Sequence, residues 1–240
     1  MRRHMFRWSP ARIIAGAFGS ISFIGSILLY LPWGHMPGQS ITYVDALYTA
    51  VSALCVTGLS IVDTAAVFNP FGQAILAVLI QVGGLGVSTM GAGVLLMLGR
   101  KVGIRQRNLI HDTMNLDSYS GVVRFLRTLF ATTVFIEIIG AFLGYFVFRR
   151  DYEMMESIGL SIFHSISSFN NAGLTILTKE RSMEMYAEDP FMLILTTALV
   201  FVGGLGFIVI RECWVNRFRW RKLSMHSRVS IFMAVFLLIG

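Results

Sequence analysis

The stretch Asp45-Ala46-Leu47-Tyr48-Thr49-Ala50-Val51-Ser52-Ala53-Leu54-Cys55-Val56-Thr57-Gly58-Leu59 decides how the rest of the chain is read. It is mildly apolar, rich in small and hydroxyl residues, and carries no basic side chain. It is too short and too polar to cross a bilayer, which takes about 20 predominantly apolar residues. Long apolar runs nevertheless flank it, at residues 13–31 and 71–98. A second copy stands at residues 160–174. Both copies read as re-entrant pore loops, a short helix (about 44–54 and 157–169) running into a glycine-bearing strand.

The duplication extends outward from these loops. Leu47-Tyr48, Ser52 and Gly58-Leu59 match Ile162-Phe163, Ser167 and Gly173-Leu174 at an offset of 115. Asn69-Pro70-Phe71 matches Asp189-Pro190-Phe191, and Val82-Gly83-Gly84-Leu85-Gly86 matches Val202-Gly203-Gly204-Leu205-Gly206, both at an offset of 120. Three landmarks in one order define an internal repeat. The chain divides into a first repeat (1–99), a loop (100–121), a second repeat (122–211), a second loop (212–228) and the start of a third repeat (229–240), where the sequence ends partway through an apolar run. The third span covers 122–148 and the fourth 191–210. Two crossings per repeat return the chain to its starting face, so the repeats are parallel and both loops enter from one side. The expected fold is an all-α polytopic membrane protein of tandem parallel helix–pore loop–helix units around a pseudo-fourfold axis. Inverted repeats, as in many secondary transporters, would not give this geometry.

Composition agrees. Over 240 residues, 55% are hydrophobic and 14% charged, which is membrane territory. A cleaved signal peptide is the competing reading of the basic N-terminus, but the apolar run is longer than a signal core and more spans follow. Of the 20 Lys and Arg, 16 fall at the N-terminus and the loops after the second and fourth spans, whereas nine of the 13 acids lie on the other face. By the positive-inside rule the N-terminus is cytoplasmic in a multi-pass cell-membrane protein. The net charge of +7 is thus a topology signal, with anionic-lipid contact around Arg217 to Lys222 or docking of a cytosolic partner there, and not a sign of nucleic acid. Cys55 and Cys213 match no metal or disulfide spacing and read as small buried residues.

In hydrocarbon, irregular backbone survives only where it is buried in protein or lines a cavity. Such a loop supplies carbonyl oxygens, and rings of carbonyls replace the water shell of K⁺. Val56, Thr57, Gly58 and Leu59, with Asn171, Ala172, Gly173 and Leu174, are the expected ion-binding residues. No catalytic or metal-ligand spacing rises above background, and no bound cofactor is expected. Glu137 is an ionisable residue deep in the third span, where packing and ion conduction are comparable readings. His164 reads as structural, Asp45 as the N-cap of the first pore helix, and Gly83-Gly84-Leu85-Gly86 as close helix packing rather than a nucleotide loop, with a hinge as the lesser option.

Several motifs together carry a resemblance: Ser9-Pro10, Leu28-Leu29-Tyr30-Leu31-Pro32, Ala50-Val51-Ser52, Val56-Thr57-Gly58-Leu59, Gly83-Gly84-Leu85-Gly86 and Asn170-Asn171-Ala172-Gly173-Leu174. The chain resembles the Trk/Ktr/HKT superfamily of cation transporters, and the Ktr-type subunits most, over all of its length but about half of theirs. The family's third and fourth loops and its gate in the third repeat are absent from it. The resemblance implies K⁺ uptake down the membrane potential, selected by Gly58 and Gly173, with Na⁺ as a possible coupled ion. It also implies a homodimer governed by a cytosolic nucleotide-binding regulatory subunit of the KtrA kind. The alternative is an unrelated polytopic membrane enzyme or scaffold whose loops are extracellular turns.

Overall fold

The computed structural model describes residues 10–86, 89, 122–177, 183–216 and 219–239. Ser9, the loop 100–121, most of residues 87–98, and Arg217 lie outside the described residues. Among the described residues the chain is helical, with a single isolated bridge between His35 and Phe68. Helix α1 is described over Pro10–Tyr30. A 3-10 turn at Pro32–Gly34 leads to α2 (Tyr43–Cys55), the expected first pore helix. Next come a one-turn helix, α3 (Thr64–Val67), and α4 (Pro70–Leu85). The second unit is α5 (Val122–Phe148), the second pore helix α6 (Met154–Phe169) and α7 (Pro190–Gly204). Helices α8 (Phe207–Val215) and α9 (Met225–Ile239) follow.

Pore helix α2 packs between α1 and α4, and α6 packs between α5 and α7. The units meet where α4 lies against α6. One apolar core runs through both, from Leu29, Ala50, Phe68 and Ile80 to Phe148, Phe163, Met192 and Leu199. The outer residues of α1, α5 and α7, among them Phe23, Ile138, Phe142 and Ile194, stay exposed, as a lipid-facing surface requires. By length and composition, the segment Leu126–Phe148 is the one described helix long and apolar enough to cross a membrane alone, and shorter apolar helices surround it.

The span starts are built alike. Asn69 caps α4 by accepting from the amides of Phe71 and Gly72, and Asp189 caps α7 by accepting from Phe191 and Met192. Each cap also reaches back to the end of the preceding span. The Asn69 amide donates to Trp33 O at 2.7 Å and His35 O at 3.1 Å. Asp189 accepts from Arg150 Nη1 at 2.6 Å, while Tyr186 donates to Asp151 nearby.

Four expectations are corrected. Asp45 is not the N-cap of α2: Thr42 is, and Asp45 stands third in a capping box, its carboxylate accepting from the Thr42 amide. Cys55, expected to be buried, is exposed, whereas Cys213 is buried as expected. The fourth span is not one helix, because α7 stops at Gly204 and α8 begins at Phe207, with Gly206 at φ 81° between them. Helix α4 likewise stops at Leu85, with Gly86 at φ 82°. A left-handed residue breaks the amide ladder, so the Gly-Gly-Leu-Gly motif ends a helix in both units. The third span ends at Phe148, as expected.

The preceding glycines explain the packing. A Cβ on Gly83 would collide with the carbonyl of Leu54, and a Cβ on Gly203 with the carbonyl of Phe169. The end of each pore helix therefore rests backbone-to-backbone on the span that follows. Gly83→Ala and Gly203→Ala are each expected to lower the thermal midpoint of the full-length protein in detergent, with overpacking costing about 1–3 kcal/mol. Gly159→Ala, where a Cβ meets open space, is expected to leave the midpoint level or slightly raised. A Gly83→Ala midpoint equal to wild type would contradict the seat.

Candidate functional site

Each pore helix ends in a reversal of backbone hand. After α2, Val56 is left-handed at φ 56°, ψ 42°, and its neighbour Thr57 donates its amide to Ser52 O at 3.0 Å. Gly58 is again at positive φ, 74°. After α6, Asn171 lies at φ 57°, the Ala172 amide donates to Ser167 O at 2.7 Å, and Gly173 lies at φ 68°. Along a β-strand, successive peptide planes face opposite ways. Alternating hand at residues 56–58 and 171–173 breaks that alternation and favours carbonyls turned to one side.

A serine braces each loop. Ser52 Oγ donates to Leu59 O at 2.5 Å, and Ser167 Oγ donates to Leu174 O at 2.6 Å. Both serines belong to the pore helix and are buried, so each strand is tied back to the helix that delivers it. The first loop has one more hydroxyl, Thr57 Oγ1, 2.9 Å from Ser52 Oγ, where the second has Ala172. The C-terminal ends of α2 and α6, the negative ends of their dipoles, face these turns.

The loops touch at their glycines. A Cβ on Gly58 would stand 2.6 Å from Ala172 O and 3.5 Å from the Cα of Gly173. Thr64 Oγ1 donates to Thr175 O just beyond. The fold thus gathers Val56, Thr57, Gly58 and Leu59 with Asn171, Ala172, Gly173 and Leu174 at one place, although 115 positions separate them. Thr57 and Leu59 are exposed there, whereas Ala172 and Leu174 are buried.

Val56 is strained. Left-handed backbone is uncommon for any non-glycine residue and an outlier for a β-branched one. Such strain persists only where the surroundings over-determine the conformation, and it clusters at functional sites. Asn171, in the matching place, suffers less because asparagine visits this region readily.

Behind the second loop lie polar groups whose connections sequence reading missed. Asn170 Nδ2 donates to Gln81 Oε1 at 2.9 Å and to Glu137 Oε1 at 3.3 Å. Glu137 is therefore held within protein, and its backbone carbonyl accepts from Ser165 Oγ at 2.7 Å. The available signal was Gln81 and Glu137, two polar residues inside apolar runs. His164 has the expected structural place, with Nε2 3.0 Å from Thr196 Oγ1 and its ring edge-on to Phe148. At the start of α7 the amides of Met192 and then Phe191, with Arg150, hold the Asp189 carboxyl below the usual carboxylate range. Among the described residues no cluster of His, Cys, Asp or Glu is placed to hold a metal ion.

Apolar helices exposed on their outer faces, around paired helix-and-turn loops, define a helical membrane protein. The profile of the TrkH family, cation transport proteins, matches residues 10–232, and the protein belongs to that family of polytopic membrane transporters. Its relatives are transporters rather than enzymes. Over 225 residues it is 34% identical to the Ktr system potassium uptake protein B of Bacillus subtilis (strain 168), covering 94% of this chain and 49% of that one. It is 35% identical over 234 residues to the potassium/sodium uptake protein NtpJ of Enterococcus hirae, covering 98% and 51%. It is also 35% identical over 245 residues to the Ktr system potassium uptake protein B of Vibrio alginolyticus, covering 99% and 52%. The chain spans about half the length of the curated relatives it matches.

Ser52→Ala and Ser167→Ala leave a leucine carbonyl without its donor, and each is expected to destabilise the full-length protein by about 1–3 kcal/mol, read as a lower thermal midpoint. Val56→Asn is expected to raise that midpoint by relieving about 1 kcal/mol of backbone strain. A fall on Val56→Asn would contradict the strain.

Proposed function

We propose that residues 56–59 and 171–174 form two quadrants of a K⁺ selectivity filter, and that the protein of which this chain is part takes up K⁺ across the cell membrane. The observation that carries this is the meeting of the two loops at Gly58 and Gly173, each strand of reversed hand and each braced by a pore-helix serine. The relatives' names, potassium uptake and potassium/sodium uptake, support the same ion, with Na⁺ as a second transported or coupled ion.

In this reading the units are the tandem parallel repeats 1–99 and 122–211, joined by cytoplasmic loops 100–121 and 212–228, with 229–240 opening a third. They stand around a pseudo-fourfold axis normal to the membrane, with the N-terminus cytoplasmic. A ring of carbonyls strips water from the ion and replaces it. A membrane potential, negative inside, supplies about 2.3 kcal/mol per charge per 100 mV, enough to drive uptake without a bound cofactor. The relatives' names, Ktr system proteins B and D, fit a system of several components; the family resemblance adds a cytosolic nucleotide-binding regulatory partner and a homodimeric pore subunit.

Gly58→Ser tests the filter. The added Cβ stands 2.6 Å from Ala172 O and pushes that carbonyl off the position K⁺ needs. In cells lacking other K⁺ uptake, the full-length variant is expected to take up more Na⁺ relative to K⁺ than wild type. An unchanged ratio at equal surface level would refute the filter assignment.

A further inference from the structure

The Asn170 carboxamide sits where three helices and one filter loop converge. We propose that Asn170 is a positioning residue for the second loop, and that its bonds to Gln81 and Glu137 set ion discrimination. The inference rests on the filter reading above and adds what holds one of its strands in place.

Asn170 is the C-cap of α6 and the residue immediately before Asn171, where the backbone turns left-handed. Only 9% of it is exposed. Its Nδ2 donates to Gln81 Oε1 on α4, to Glu137 Oε1 on α5 and to Ile166 O in its own helix, at 2.9, 3.3 and 2.9 Å. Gln81 belongs to the first unit and Glu137 to the second, so this one side chain ties the second loop to both. The tie has no copy in the first unit, where Cys55 stands in the matching place and is exposed. The first strand depends on Ser52 and the strained Val56 instead.

The carboxamide has no room to wander. Asn170 Oδ1 has no hydrogen-bond partner among the described residues and lies against Gly84, where any Cβ would collide with it. Because the next residue is Asn171, a displacement of the Asn170 side chain passes directly into residues 171–173. Gln81 stands one turn before the break at Gly86, so the same carboxamide links the loop to the last turn of α4.

The test is the ratio of Na⁺ to K⁺ uptake by the full-length protein reconstituted in vesicles. Asn170→Asp replaces the donor with an acceptor facing Glu137, and is expected to raise the ratio by about tenfold, the factor matching roughly one displaced hydrogen bond. Asn170→Asp combined with Glu137→Gln reverses the polarity of the bond and is expected to return the ratio toward wild type. Gln81→Met removes the acceptor on α4 while leaving Asn170 intact, and is expected to shift the ratio in the same direction even if Asn170→Asp does not fold. A purely structural role would lower the amount of folded protein or the maximal rate and leave the ratio alone, and that result overturns the proposal. So does failure of Glu137→Gln to restore it. If Gly58→Ser shifts the ratio and these variants do not, only this inference fails. If Gly58→Ser leaves it unchanged, the filter reading fails too.

Discussion

The rest of the structure depends on one backbone contact made twice. The carbonyl ending the first pore helix, at Leu54, rests on Gly83, and the carbonyl of Phe169 rests on Gly203. No side chain fits between them. A pore helix is short, and helices of this length are marginal alone, so their order comes from packing. Seating each end on the last turn of the helix that follows fixes where its dipole points and where the next turn begins. Three residues on from each seat, the amides of Thr57 and Ala172 bond back to the helix, and the serine hydroxyls close each turn at Leu59 and Leu174.

The polar groups at this depth follow from the same constraint. Water is scarce in hydrocarbon, so an unpaired polar atom there is costly and each must find a partner in protein. Ser165, the Asn170 Nδ2 group, Gln81 and Glu137 are joined in one connected group rather than separate pairs. His164 and Thr196 form a second such pair between α6 and α7. The inner helix faces hold these bonds and the small residues that let them form. The outer faces carry Phe, Ile and Val. A side chain's place, rather than its hydropathy, separates the face that meets lipid from the face that meets the loops.

The two units are matched without being identical. They share the glycine seats, the capped span starts, the serine braces and the left-handed turns. They also differ: Val56 is strained where Asn171 is at ease, and Asn170 bonds to two other helices where Cys55 is a free, exposed thiol. Each loop keeps what its own turn needs, and Asn170 adds a bond to Gln81 where α4 lies against α6.

Much of this was legible in the residues because it is local or repeated. The offsets of 115 and 120 located both loops and both glycine motifs, and the third span's apolar run located its end at Phe148. Capping chemistry was half legible: the Asn69-Pro70 and Asp189-Pro190 steps marked span starts, while Thr42 displaced Asp45 because a capping box places the acid third. Apolar runs hid the helix breaks at Gly86 and Gly206, since hydropathy is blind to backbone hand. Sequence alone determined the membrane class, the duplication and the residues of the loops, for these follow from composition and spacing along one chain. Only the tertiary structure decided that Gly58 meets Gly173, that Ser52 holds Leu59, and that Asn170 joins Gln81 to Glu137. Those contacts rest on distances between atoms of different helices, which no pattern along the chain encodes.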